Sequence, residues 1–225
     1  MKKQKNLIFD ADGVMLLSTQ PGMEGIRQAA EYYGLNKPPF SEIKKHWGKK
    51  LEEGIIPALG DLMGWSQQQR QDVLQKFLAL SRTTMVYPEQ PELMPMLIAL
   101  KKQGYRLGVI TNRDPESLYF RFNQHKIQTH LFEHIHVAHN GNAIKPSPRV
   151  FDHFIKLGFN PADTLFIGDS VADDLAAANA HEPPFKFVGI VSGVSSMCEF
   201  VRAGVPVTHI FKKVTHLQPC LHYLL

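Results

Sequence analysis

Apolar and polar positions follow two different rhythms along this chain of 225 residues. Close to the start, Leu7-Ile8-Phe9 is a short continuous apolar run that predicts a buried strand over 6–9. From there to about residue 90 apolar residues recur at helical spacing and no strand is predicted. An amphipathic stretch over 24–33 ends at Gly34. The stretch 41–62 is helical but interrupted by Gly48, Gly54 and Pro57. Ser66 followed by Gln69 is a capping-box pattern, and it predicts a helix running to about Met85. Tyr87-Pro88-Glu89-Gln90-Pro91 predicts a linker.

Beyond it the rhythm changes. A helix is predicted over 92–103, with Pro95 fitting its first turn. Strands over 107–110, 134–138, 164–167 and 187–191 then alternate with helices over 115–125, 148–157, 172–180 and 196–203. Strands alternating with helices of this length predict βαβ units and a parallel sheet. The expected fold class is α/β: a Rossmann-like core from 1–14 and 91–225, with a small all-helical domain over 15–90 inserted after the first strand.

Composition narrows the setting. Hydrophobic residues make up 44% and charged residues 20%, a balance that suits a globular chain and argues against disorder. No apolar stretch approaches the ~18 residues of a membrane span. The basic start Met1-Lys2-Lys3-Gln4-Lys5 is followed by only three apolar residues before Asp10, too few for a signal peptide. Cys198 and Cys220 form neither a disulfide framework nor a metal-ligand spacing, so a reducing, cytoplasmic setting is expected. The net charge of +4 is spread along the chain without a Lys/Arg block, and no nucleic-acid partner is expected.

Candidate chemistry sits at predicted strand ends. The first strand runs into Asp10-Ala11-Asp12-Gly13-Val14, two carboxylates at the carboxyl edge where open α/β sheets bind ligands. One acid of such a pair can attack or hold a metal while the other moves protons. Later come Thr111-Asn112, a hydroxyl and an amide suited to phosphate oxygens, and Lys145-Pro146, an ammonium that can neutralise an oxyanion. Gly168-Asp169-Ser170 is followed by Asp173, an acid four residues on that can point with Asp169 at one hard cation. Taken singly, each has an ordinary role: a helix cap for Thr111-Asn112, a surface lysine, a loop acid, a helix N-terminal acid. Four in this order after predicted strands are not independent coincidences.

In these motifs the chain resembles the haloacid dehalogenase superfamily of phosphohydrolases, in the subgroup similar to phosphoglycolate phosphatase with a helical cap inserted after the first motif. The resemblance implies a Mg²⁺-dependent phosphatase acting on a small phosphorylated metabolite through an aspartyl-phosphate. It implies that Asp10 is the nucleophile and Asp12 the acid/base. Thr111, Asn112 and Lys145 would hold the phosphoryl group. Asp10, the carbonyl of Asp12 and Asp169 would bind the metal, with Asp173 in or beside its shell. Asp12 argues against dehalogenation, which needs no leaving-group proton. Gly22 stands where the hexose-phosphate mutases carry a cap-hinge histidine, which argues against a mutase. A phosphoprotein (phosphotyrosine) phosphatase using the same site stays open, as does a non-catalytic module docking on anionic lipid or protein. Lys49, in His46-Trp47-Gly48-Lys49-Lys50, and Arg113 are the candidates for substrate specificity. His130, His134, His136 and His139 are expected to be surface histidines rather than a second metal site.

Overall fold

The apolar run at the start forms strand β1 (Asn6–Phe9), buried along its whole length. In the computed structural model, which describes residues 4–138 and 141–225, β1 is a central strand of a six-stranded sheet. His139 and the first three residues of the basic start lie outside the described residues. The other strands are β2 (Arg106–Ile110), β3 (His134–His136), β4 (Thr164–Gly168), β5 (Lys186–Ile190) and β6 (Ile210–Phe211). Their order is β3-β2-β1-β4-β5-β6, and every pairing is parallel. A parallel sheet is covered on both faces, so its inner strands are almost continuously apolar, as in Leu7-Ile8-Phe9 and Leu165-Phe166-Ile167. The chain steps outward from β1 to β2 and β3, then returns to the other side of β1 as β4. The order therefore reverses between β1 and β4, the place where such sheets open a crevice at the strand carboxyl ends.

A layer of phenylalanines holds one face of this sheet. Phe151, Phe154, Phe159, Phe166 and Phe200 are all fully buried, and Phe151 stacks on Phe185 with ring centroids 4.1 Å apart. Gly108 in β2 belongs to that packing, since a Cβ there would lie 2.2 Å from the Phe154 ring. Two helices of this core begin differently from the sequence expectation. The helix expected over 148–157 begins as a 3₁₀ turn (Pro148–Phe151) before Asp152–Lys156. The helix expected over 172–180 begins as one π turn (Val171–Leu175) before Ala176–Ala180. Strand β6 and the terminal helix Leu221–Leu224 carry no sequence signal, because neither is long enough to express a period.

The structure divides into two compact units: the chain up to Leu17 together with Glu89–Leu225, and Ser18–Pro88. The second unit is helical: Thr19–Tyr32, Phe40–His46, a π turn Leu51–Ile55, Ile56–Met63 and Gln67–Thr83. Its core gathers Met23, Ile26, Ile43, Leu59, Trp65 and Val73, with Trp47 at the margin. Ser66 closes the expected capping box, its Oγ accepting from the Gln69 N–H at 3.2 Å while its own N–H donates to Gln69 Oε1 at 2.8 Å. Its first helix starts at Thr19, ahead of the expected 24, in spite of Gly22 and Gly25. Tertiary packing overrides helix propensity there: a Cβ on Gly22 would meet the Trp47 ring at 2.4 Å, and one on Gly25 would meet Met85 at 2.3 Å. No described helix is long and apolar enough to cross a membrane.

Candidate active site

The β1 ladder continues one residue past the strand, where the Asp10 N–H donates to the Ile167 carbonyl at 2.8 Å. The chain then turns sharply, with the N–H groups of Met15 and Leu16 both donating to the Ala11 carbonyl and that of Gly13 to Leu16. Gly13 has a φ of +73°, which an L side chain rarely adopts, and a Cβ on it would lie 2.2 Å from Asp169 Oδ2. Gly193 presses on Asp169 from the loop after β5, where a Cβ would come within 1.8 Å of the same oxygen. Ser192 Oγ ties the two glycine loops together by donating to the Gly13 carbonyl at 2.7 Å. Backbone alone thus packs around Asp169, and the Val194 N–H donates to its Oδ2 at 2.7 Å.

Three carboxylates converge at this edge. Asp10, Asp169 and Asp174 place oxygens within 4.8 Å of one another, and all three residues are buried. Lys145 enters between two of them, with Nζ 2.7 Å from Asp10 Oδ1 and 2.6 Å from Asp174 Oδ1. Its contact with Asp10 lies off the hydrogen-bonding direction, so it is an ion pair, and Asp10 Oδ1 is left buried without a hydrogen-bond donor. Three acids face one ammonium, and two negative charges remain in excess inside the protein. Burying an unpaired charge costs several kcal/mol, so the protein answers by shifting protonation. Burial pushes the Asp10 carboxyl up to about 8; Lys145 opposes the rise, and Asp174 and Asp12 add to it. Asp169 is raised well above the usual carboxylate range, by burial first and then by Asp174 and Asp10. Burial alone would lower the pKa of Lys145, but Asp10 and Asp174 outweigh it and keep the ammonium charged.

The predicted residues are distributed unevenly around this centre. Asp10, Lys145 and Asp169 come together. Asp173 does not join them: its Oδ2 accepts from Ser170 Oγ at 3.1 Å, and Asp174 occupies the inward place. Asp174 Oδ2 accepts from the N–H groups of Asp169 (2.9 Å) and Ser170 (3.0 Å), which leaves Oδ1 for Lys145. The cause is the π turn, in which the Leu175 N–H donates to the Ser170 carbonyl five residues back and the wider turn takes up one extra residue. A spacing argument built on the α-helical period selects Asp173; the Leu175-Ala176-Ala177-Ala178 run directly after Asp174 is the one local sign that the buried helix face starts there.

Asp12 is gripped by Arg113. The guanidinium meets both carboxylate oxygens, Nε at 2.9 Å from Oδ2 and the second nitrogen closer still on Oδ1, while its third nitrogen donates to Ser117 Oγ at 2.6 Å. Arg113, a candidate for substrate contact by sequence, is here a partner of the proposed acid/base. Asn112 turns its carboxamide to the backbone of Lys145, accepting from the N–H at 2.8 Å and donating to the carbonyl at 3.1 Å. It sets the position of Lys145. Thr111 is buried, with its N–H on the His136 carbonyl and its Oγ accepting from the Arg113 N–H. Lys49 is an exposed residue of the helical unit.

The donor set fits a divalent hard cation. It consists of carboxylate oxygens alone, three acids share one ammonium, Asp10 Oδ1 lacks a hydrogen-bond donor, and no soft ligand is present.

The comparisons with known proteins agree with this geometry. The profile of the haloacid dehalogenase-like hydrolases matches residues 7–184. A phosphoglycolate phosphatase from Haemophilus influenzae is 28% identical over 206 residues, 86% of this chain and 88% of that protein. A glyceraldehyde 3-phosphate phosphatase from Pyrococcus abyssi is 29% identical over 103 residues, 45% of this chain and 43% of the other. Among solved structures, a predicted phosphoglycolate phosphatase from Haemophilus somnus superposes with a TM-score of 0.80 at 22% identity, covering 98% of this chain and 99% of its own. A hydrolase from Pseudomonas syringae gives 0.75 at 21%, with 98% and 99% covered. The chain therefore belongs to the haloacid dehalogenase-like hydrolases, and among them it is a phosphatase-type enzyme similar to the phosphoglycolate phosphatases.

Proposed function

We propose that this protein hydrolyses a small phosphomonoester by a two-step exchange through an aspartyl-phosphate on Asp10, with Mg²⁺ as its cation. The observation that carries the reading is the position of Asp10, at the sheet's point of reversal between Lys145 and a carboxylate cluster fit for a metal. When bound, Mg²⁺ supplies charge neutralisation that lets an anionic phosphoryl group approach a carboxylate. Asp10, the Asp12 carbonyl and Asp169 would hold it, with Asp174 beside them anchoring Lys145. In the first step an oxygen of Asp10 forms a bond to phosphorus, the bond to the leaving oxygen breaks, and Asp12 gives that oxygen its proton. In the second, water attacks phosphorus, Asp12 takes the proton, and the Asp10–phosphorus bond breaks to release phosphate. Lys145 and the Thr111 hydroxyl steady the transferring group, and Asn112 acts through the Lys145 backbone it holds. Positioned proton transfer by Asp12 is worth about 10²–10⁴-fold.

The helical unit, with Lys49, is the proposed specificity cap. Known phosphatases similar to this chain act on phosphoglycolate and glyceraldehyde 3-phosphate by name, and two- and three-carbon phosphates are the first substrates to try. The decisive experiment is a panel of these, hexose phosphates and a phosphotyrosine peptide, with wild type and Asp10→Asn. Asp10→Asn should fold normally and lose turnover by about 10⁴-fold or more. Unchanged hydrolysis by that variant overturns the mechanism, and turnover confined to the phosphotyrosine peptide overturns the substrate class.

A further inference from the structure

Away from the acidic cluster, at the sheet edge, a cavity of about 260 Å³ opens between β3, the loop 141–143 and the helix Asp152–Lys156. It is polar and basic. The rings of His134 and His153 stack at 3.8 Å with planes 22° apart, and His136 lies next along the strand with its centroid 6.4 Å from that of His134. Arg149 and Lys156 add two fixed positive charges to the lining. The one acid there, Asp152, meets Arg149 at 3.8 Å across a mostly exposed pair and neutralises it weakly. His134 is disfavoured as a cation by burial first and by His153 and His136 second, which brings its pKa down to about 4. The lining thus sets two permanent cations and three imidazoles against one acid.

We propose that this cavity binds a small, multiply charged oxyanion of the phosphate class. Ring geometry argues against a metal in its place. An ion in the plane of one stacked imidazole lies well out of the plane of the other. Among the described residues the only metal-like grouping of three is the acidic cluster. An anion seated here meets Arg149 and Lys156, stabilises the protonated form of His134, and lies against Ala143, two residues before Lys145. The proposal stands independently of Asp10 as nucleophile.

The test is proton–carbon NMR of the histidine rings of the full chain, with chelator present to keep cations from the acidic cluster. Sodium phosphate is titrated against sodium chloride at equal ionic strength. We expect saturable shifts of the His134, His136 and His153 signals with a Kd of about 1 mM. The His134 titration midpoint should rise by about one unit, the equivalent of tenfold tighter binding to the protonated ring. Arg149→Gln and His153→Asn, both at exposed positions, should each weaken binding severalfold while leaving hydrolysis of p-nitrophenyl phosphate unchanged. Equal shifts in chloride, or none in phosphate, overturn the proposal. So does a separate zinc titration, run without chelator, that moves all three rings at micromolar concentration while phosphate moves none.

Discussion

One residue decides how the acidic cluster is built. Asp173 and Asp174 are adjacent and chemically identical, yet one faces the Ser170 hydroxyl and the other is fully buried on two N–H groups and an ammonium. Replacing Asp174 with Asn leaves Lys145 with one partner and removes one of three acidic oxygens from the cation cluster. Cation affinity should fall by about 10–100-fold, the usual cost of disturbing a carboxylate that orients a metal site. Asp173→Asn should stay within about twofold of wild type. Calorimetric Mg²⁺ titration of both variants checks the contrast, and equal losses would overturn it. The sequence made Asp10 and Asp169 legible because each follows an apolar run whose end is visible, and Lys145 through the Lys-Pro pair that comes between them. It left Asp174 hidden because spacing tells which acids are near a helix start but not which of two neighbours turns inward.

At the scale of elements, what was legible depended on length. Four- and five-residue strands such as Asn6–Phe9 and Thr164–Gly168 show their burial in composition. The two-residue β6 and the π turn Val171–Leu175 show nothing, since a period needs several residues to appear. The π turn is held at Ser170 on one side and by buried Leu175, Ala177 and Ala178 on the other, with its slack between. Deleting Ala172 should close it to an ordinary α turn and leave Asp174 on the Asp169 and Ser170 amides. Stability should change by less than about 2 kcal/mol, against the larger loss typical of a deletion in a buried helix. Chemical denaturation of the deletion variant measures it. Strand β3 carries a pH signature as well. His134 titrates near 4 in the fold, below its ordinary 6.5, because burial and its histidine neighbours oppose the charge. Between those values the unfolded chain binds more protons, so stability falls as pH falls from 6.5 toward 4. In His134→Gln the urea midpoint should decline less steeply across that window, and an identical slope would contradict the assignment.

For the whole molecule, the reversal of strand order matters most: it brings residues as far apart as Asp10, Lys145 and Asp174 to one edge, and only a parallel sheet with β1 in its middle does so. That much followed from alternating strands and helices. Which phosphate ester the proposed site would take did not, because specificity rests on a few side-chain directions that no period encodes. Cation binding should be visible globally. At about 100 times its Kd, Mg²⁺ adds about 2.7 kcal/mol to the state that binds it, which for a chain of this length raises the melting midpoint by about 5–10 °C. An unmoved midpoint would show that the cluster takes no cation. Lys145 gives this chain a property that zinc fingers lack, since they unfold when stripped. Its ammonium lies between two of the acids, a built-in counterweight that should keep the protein folded when the cluster is emptied. On the proposed mechanism, activity drained by a chelator should return when magnesium is restored, with no refolding step in between.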